Sequence, residues 1–224
     1  MDLIFERMPA TLELVAVAAC LVLCIAIPLG VYAGAYPKRA SSKLIMSGSI
    51  LGISLPSFWV GMMMIYVFAV VLRLLPASGR GNTVMVGNVA LSIFAPGGIR
   101  YVILPAITLA LTNVATMLRL TRSGILENMR QDYIKFARAK GVPAKSILFG
   151  HALKNALIPV VTIFGMDLGN MIAFTTITET IFAWPGMGKL LIDAINKSDR
   201  PIIVAYLMAA ACMFVVLNFI VDIL

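Results

Sequence analysis

The sequence predicts an all-α fold, a polytopic bundle of transmembrane helices, on three observations. The 224 residues are 61% apolar and only 12% charged. A soluble domain is roughly half apolar and about a quarter charged, so too few charges remain here to cover a water-facing surface. The apolar residues gather into five runs, each near the ~20 residues that cross a bilayer. The 18 Lys and Arg, against 10 Asp and Glu, concentrate in the connections, above all in one of them. The same numbers exclude a soluble enzyme, a disordered chain and a disulfide-knotted secreted module. The net charge of +8 points to basic cytoplasmic loops and membrane lipid rather than to nucleic acid.

The first span is predicted over Leu14–Tyr36, without a charge. MDLIFERMP, before it, carries acids where a cleavable signal peptide carries bases, so no cleavage is expected. The second span is predicted over Leu44–Leu72, long enough to tilt. The third covers Tyr101–Leu118, the fourth about Asn155–Thr178 with one charge, Asp167, and the fifth Pro201–Val221. Pro28, Pro56 and Pro105 lie in or near these runs, where neighbouring helices can satisfy the freed carbonyls.

Lys38, Arg39, Lys43 and eight further bases from Arg119 to Lys154 fall on one side of this topology. Arg7, Arg73, Arg80, Arg100, Lys189, Lys197 and Arg200 fall on the other, spread over longer sequence. The positive-inside rule puts the first group in the cytoplasm, the N-terminus outside and the C-terminus inside. An external N-terminus leading straight into a span is expected to follow a further span upstream. Cys20, Cys24 and Cys212 sit inside apolar runs, and the single His151 is remote from them in sequence. They read as small apolar fillers, and neither a metal nor a cofactor is expected.

The region 119–156 holds the one long basic segment, and it has apolar periodicity: Ile134, Phe136, Ala137, Ile147, Leu148 and Ala152 interleave with the charges. A helix is predicted over Asp132–Lys140, acid first and bases last as the macrodipole favours. Gly141 is its left-handed stop, and Pro143 opens a second helix. Two readings stand. The helix–turn–helix is either an interfacial element on anionic head groups or a knob for a cytoplasmic partner, with Ala137 and Ala139 permitting close approach.

Polar residues inside spans mark a candidate path. Asp167 is the costliest in lipid; it either lines a water-filled route or clamps helices. Asn170, Asn113 and Ser57 are the other path candidates, although for such residues packing glue between helices is the favoured reading. Gly165, Gly169 and Ala173 form a small-residue stripe suited to a close helix crossing. Trp184-Pro185-Gly186 reads as a tight external turn, an interfacial anchor or part of an outer gate and docking surface. Glu179 stands before it as a rim acid. Around the stretch Pro185–Leu190, Ala183 and Leu190 stand where a Walker A motif needs Gly and Ser or Thr, so it holds no ATP by that route.

DYIKFARAKG followed by HALKNALIPVVT resembles the coupling loop of binding-protein-dependent ABC transporter permeases, in the first-type subunit of the dipeptide, oligopeptide and nickel branch. Aligned on Gly141, Ala137 and Leu153 match the family motif, while Lys135, Phe136, His151 and Lys154 depart from its general form. Ile53–Trp59, Leu75–Gly79, Ile103–Pro105, Glu179–Phe182 with Trp184–Gly186, and Asn218–Asp222 resemble further signatures in the same order. The resemblance implies a six-span family fold, with an N-terminal span and external segment absent from this chain. It implies an inner-membrane permease subunit, non-catalytic, importing peptides or similar solutes. Its implied partners are a homologous second permease, two cytoplasmic ATP-binding subunits and an extracytoplasmic substrate-binding protein. Lys135, Ala137, Arg138, Gly141, His151 and Leu153 are the implied coupling residues. An ATP-independent secondary transporter or channel is the alternative, although the spans show neither intramembrane ion pairs nor a clear inverted repeat.

Overall fold

The computed structural model describes residues 2–87 and 89–223, with the Asp222 side chain, part of the last signature, outside the described residues. Most of the described residues are helical. Helix α1 spans Asp2–Ala35, α2 Ala40–Ser54 and α3 Ser57–Met64, which continues as a π-helical segment to Val71. A short antiparallel hairpin follows, β1 Val84–Val86 paired with β2 Val89–Leu91 and Val84 opposite Leu91. Then come α4 Ile99–Asn128, α5 Asp132–Ala139, α6 Ala144–Ser146 leading through a π-helical segment into α7 Leu153–Ile181, α8 Met187–Asn196 and α9 Arg200–Ile223. Among the described residues four helices are long and apolar enough to cross a membrane, or up to five if the bent α2–α3 pair is one span.

Three expectations are corrected. The second span is not continuous: it breaks at Leu55 and Pro56 into two helices, α2 and α3. Pro56 is the cause, because it has no N–H for the ladder and pushes Leu55 away from helical backbone angles. The third span does not stop at Leu118. Helix α4 runs ten residues further because Thr121 and Ile125 are buried, so the first part of the basic region is a helical extension. The first helix begins well before Leu14, which brings Thr11 and Glu13 inside it. Helix α8 and the hairpin were not expected at all.

The chain forms two compact units. One comprises residues 22–54 and 111–165. Within it, glycines bring backbones together. A Cβ on Gly30 would lie 2.6 Å from the Thr121 Cβ, one on Gly34 2.7 Å from the Ile125 Cβ, and one on Gly124 3.0 Å from the Ala156 Cβ. Val31, Ile125, Ile134, Ile147, Ala152 and Ala156 make the core that this approach allows. The other unit comprises residues 1–21, 55–110 and 166–224. There α8 and α9 meet around Ile4, Met187 and Tyr206, and Gly169 seats the Phe214 ring of α9 where its own Cβ would be. Of the small-residue stripe, Gly169 serves a helix crossing, while Ala173 is exposed.

Gly34→Val should overpack the α1–α4 contact, at a cost of ~1–3 kcal/mol, and lower the thermal unfolding midpoint of the purified protein. Gly48→Ala is the control. Nothing lies within 4 Å of its added Cβ, and relief of a helical glycine should leave the midpoint unchanged or raised.

Candidate functional site

Two constellations gather the chemistry-bearing residues, one in each unit. In the unit containing the N-terminus, one turn of α1 meets the 182–189 loop and the hairpin segment. Glu179 is fully buried. Its Oε1 accepts a 2.6 Å bond from the Thr11 hydroxyl and its Oε2 a 3.0 Å bond from the Lys189 backbone N–H. The Thr11 hydroxyl oxygen in turn accepts the Met187 N–H at 2.8 Å. Trp184, also fully buried, donates its indole N–H to the Ala10 carbonyl at 2.9 Å. Gly186 lies so close to the Glu179 carboxylate that a side chain there would collide with it, and Arg7 reaches the Pro185 carbonyl at 3.5 Å.

Beside this knot lies a second buried acid, Glu13, whose side chain is 2% exposed. Arg80 pairs with its Oε2 through Nε at 2.9 Å and a terminal nitrogen at 2.5 Å. Its Oε1 accepts bonds from the Ser92 N–H at 2.7 Å, the Ser92 hydroxyl at 2.9 Å and the Ile93 N–H at 2.7 Å. The Arg80 guanidinium stands 5.7 Å from the Trp184 ring centre, so the indole that bonds Ala10 also sits beside the Glu13 pair. Glu13 and Arg80 went unread as site residues. The available signal was a lone acid at the head of an apolar run and a lone base between two glycines. Glu179 and Trp184, read as rim acid and interfacial anchor, are interior side chains here, and neither presents a surface.

The second constellation is the basic region of the other unit. Helix α5 ends in a paired cap: the Gly141 N–H bonds the Arg138 carbonyl at 3.0 Å and the Val142 N–H the Ala137 carbonyl at 3.1 Å. This is the Schellman pattern, and it requires a left-handed residue, which Gly141 supplies at φ +80°. Pro143 caps the next helix, one position earlier than expected. Ile134 before the turn and Ile147 after it are both buried in the unit's core. Ala137 and Leu153 pack against that core rather than outward. Lys135, Arg138, Gly141 and His151 are exposed; Lys135 pairs with Asp132 at 2.8 Å. That pairing, hydrogen bond first and charge second, holds the Asp132 carboxyl below its ordinary range. Phe136 and Phe149 are exposed aromatics at 62% and 52%, and sequence reasoning did not single them out as a surface.

Of the path candidates, Asp167, Asn170 and Ser57 belong to the unit with the buried acids and Asn113 to the other. Asp167 is half-buried with Asn170 as a side-chain hydrogen-bond partner, and no cation lies within salt-bridge distance of it among the described residues. Ser57 and Asn113 are half-buried, Asn170 exposed. Many of the other span hydroxyls bond their own helix, as Ser54 does to the Ile50 carbonyl and Thr116 to that of Thr112. Thr176 bridges helices, to Tyr206 at 3.2 Å.

A sequence profile described as binding-protein-dependent transport system inner membrane component matches residues 26–224. The chain is 41% identical over 223 residues to the oligopeptide transport system permease protein AppB of Bacillus subtilis, covering 100% of itself and 69% of that protein. It is 40% identical over 228 residues to the di/tripeptide transport system permease protein DppB of Pseudomonas aeruginosa, covering 96% and 68%. Its fold is similar to the MetNI methionine ABC transporter in inward-facing conformations, with a TM-score of 0.75 at 16% identity over 99% of this chain and 94% of that one. A crystal structure of an amino acid ABC transporter gives 0.67 at 12% identity, covering 99% and 92%.

Glu13→Ala strands a buried guanidinium, and Arg80→Ala a buried carboxylate. Each should destabilise by ~3–5 kcal/mol. The double variant should lose clearly less than the sum, a coupling that a double-mutant cycle on thermal unfolding measures.

Proposed function

We infer, since the chain belongs to the binding-protein-dependent transport system inner membrane component family, that it is the membrane-spanning permease subunit of an ATP-driven ABC importer. It is a multi-pass protein of the inner membrane and a non-catalytic subunit. ATP hydrolysis and substrate capture are the work of separate ATPase and substrate-binding partners. Membership in this family favours the importer over an ATP-independent carrier or channel.

The finer assignment is our proposal: two ATPase subunits, one homologous second permease, and peptides as cargo. The cargo rests on the peptide systems named for the relatives at about 40% identity. The orientation proposed from charge is supported by the grouping of the chain. Both basic segments, 37–43 and 119–154, lie in one unit, and the connections 72–98 and 182–199 lie in the other. For the two basic segments to share the cytoplasm, the bent α2–α3 pair has to cross once. The 119–156 region is the proposed coupling element, with Lys135, Arg138, Gly141 and His151 on its exposed side and Ala137 and Leu153 bracing it from within. Asp167, Asn170, Asn113 and Ser57 are the proposed path residues. Glu179, Trp184, Pro185 and Gly186 are proposed to hold the outer gate from inside, through burial rather than by contact with the binding protein.

The observation that carries the coupling role is the capped turn at Gly141, exposed yet rigidly set between two buried isoleucines. A docking knob needs this combination and a floppy linker lacks it. No atom lies within 4 Å of a Cβ built on Gly141, so substitution there acts through backbone strain alone, ~1–2 kcal/mol. Gly141→Val should leave the protein inserted but uncouple ATP hydrolysis from uptake or release the ATPase during purification. Gly141→Asn, which tolerates the left-handed region, should retain most coupling. Normal uptake and ATPase retention in the Val variant would remove the assignment.

Asp167→Asn keeps shape and removes charge. It should lower uptake several-fold with assembly intact. Loss of assembled complex would instead make Asp167 a structural clamp.

A further inference from the structure

Residues 72–101 contain three arginines and no acid. The charge of Arg80 is consumed by Glu13. Arg73 and Arg100 are exposed, and neither has a carboxylate within salt-bridge distance among the described residues. Both line one cavity of about 510 Å³, together with Leu75, Pro76, Asn82 and Tyr101. The volume falls in the range of small-ligand pockets, ~300–1,000 Å³.

The walls of this cavity are set in advance. Arg73 holds a left-handed backbone at φ +52°, an arrangement that costs a non-glycine residue energy and persists only where neighbours enforce it. The enforcement is visible: the Leu74 and Leu75 N–H groups both bond the Phe68 carbonyl, at 2.9 and 3.3 Å. Gly81, at φ +69°, lets the Tyr101 ring come to 2.7 Å from where a Cβ would stand. The proposed topology places this segment on the outer face, where Lys and Arg in short loops run against the general bias.

We propose that this cavity is a receptor for a free carboxylate, the C-terminal carboxylate that every linear peptide carries whatever its sequence. A guanidinium presents a planar fork of donors that matches a carboxylate in two parallel bonds. Asn82 and Tyr101 add hydrogen-bonding groups beside the two forks, and Leu75 and Pro76 an apolar wall. That mixture suits a short peptide. A single acidic side chain from a docked protein would leave most of the volume empty. The cavity adjoins the ends of two apolar runs, at Leu72 and Tyr101, so a lipid head-group phosphate is the competing occupant that the test has to separate.

This inference rests on the peptide-importer reading, and its test separates the two. The complete transporter, purified with its second permease and ATPase subunits but without binding protein, is placed in phosphatidylcholine nanodiscs. Binding of trialanine and of trialanine amide is compared by saturation-transfer NMR. The acid should bind at least tenfold tighter than the amide. Arg73→Asn with Arg100→Gln should bring the two within twofold, while thermal stability stays at the wild-type value because Glu13 and Arg80 are untouched. Arg100→Lys, which keeps the charge and loses the fork, should fall between, and it carries the test if the double variant fails to fold. Equal binding of acid and amide by the wild type, or a preference that survives the double variant, overturns the proposal. So does a variant that leaves the preference intact and loosens the external binding protein, which would make the arginines a protein contact. A variant that instead changes retention of added phosphatidylglycerol would make the cavity a head-group site and equally overturn it. Peptide uptake by the wild-type transporter with its binding protein reports on the importer reading alone. Normal uptake with a flat acid-to-amide ratio removes only the carboxylate site.

Discussion

A carboxylate sealed away from water has to be answered by donors, and one unit of this protein is arranged around two of them. Glu13 and Glu179 are both buried, and the answers come from segments far apart in sequence. Arg80, Ser92 and Ile93 serve Glu13; Thr11 and the Lys189 N–H serve Glu179. One turn of α1 supplies Ala10, Thr11 and Glu13, and the 72–98 and 182–189 segments each have a single position in which these bonds close. A buried ion pair adds little net stability over apolar packing, but a broken one is costly. Its consequence is therefore selection: alternative placements of the two segments would leave a buried carboxyl without its donors. Trp184 ties the 182–189 segment to the same turn of α1, since its indole bonds Ala10 while Arg80 stands over its ring.

The other unit solves a different problem, how to project a rigid feature into water from a helical bundle. Helix α5 is only eight residues long, too short to persist unaided. Its persistence comes from Ile134 on one side of the turn and Ile147 on the other, both sunk in the same core, with the terminal carbonyls closed by the Gly141 cap. What remains outside is a basic surface bearing Phe136 and Phe149. Exposed aromatics amid bases give a partner apolar area to bury as well as charge to pair, and area is the larger source of binding energy.

Much of this was legible in the sequence. The five apolar runs, the α5–Gly141–Pro143 outline and the small-residue crossing at Gly169 all follow from local period and composition, because helix, cap and close approach are determined within a few residues. Three features were not legible, and each depends on partners distant along the chain. Glu13 gives no local sign of its role, because its partner Arg80 lies 67 residues away. Trp184 looked like an interfacial anchor because the Ala10 carbonyl that takes its N–H is 174 residues distant. The extension of α4 past Arg119 was hidden by charge. A window rule counts Arg119 and Arg122 against the helix, whereas its buried side, Thr121 and Ile125, is set by glycines on α1.

Glycine answers two different demands within one unit. One is the close approach of packed helices, where dispersion attraction depends on backbones and side chains coming into contact. Gly30, Gly34 and Gly124 serve that end: each has ordinary helical geometry and lacks only the Cβ that would hold the neighbouring helix off. At Gly141, in the basic region, the space is open and the backbone angle is what matters. The first group is therefore sensitive to side-chain volume and indifferent to left-handed propensity; Gly141 is the reverse. A window that scores glycine only as a helix breaker merges the two and would place interruptions in α1 and α4, where the chain instead brings helices into close contact.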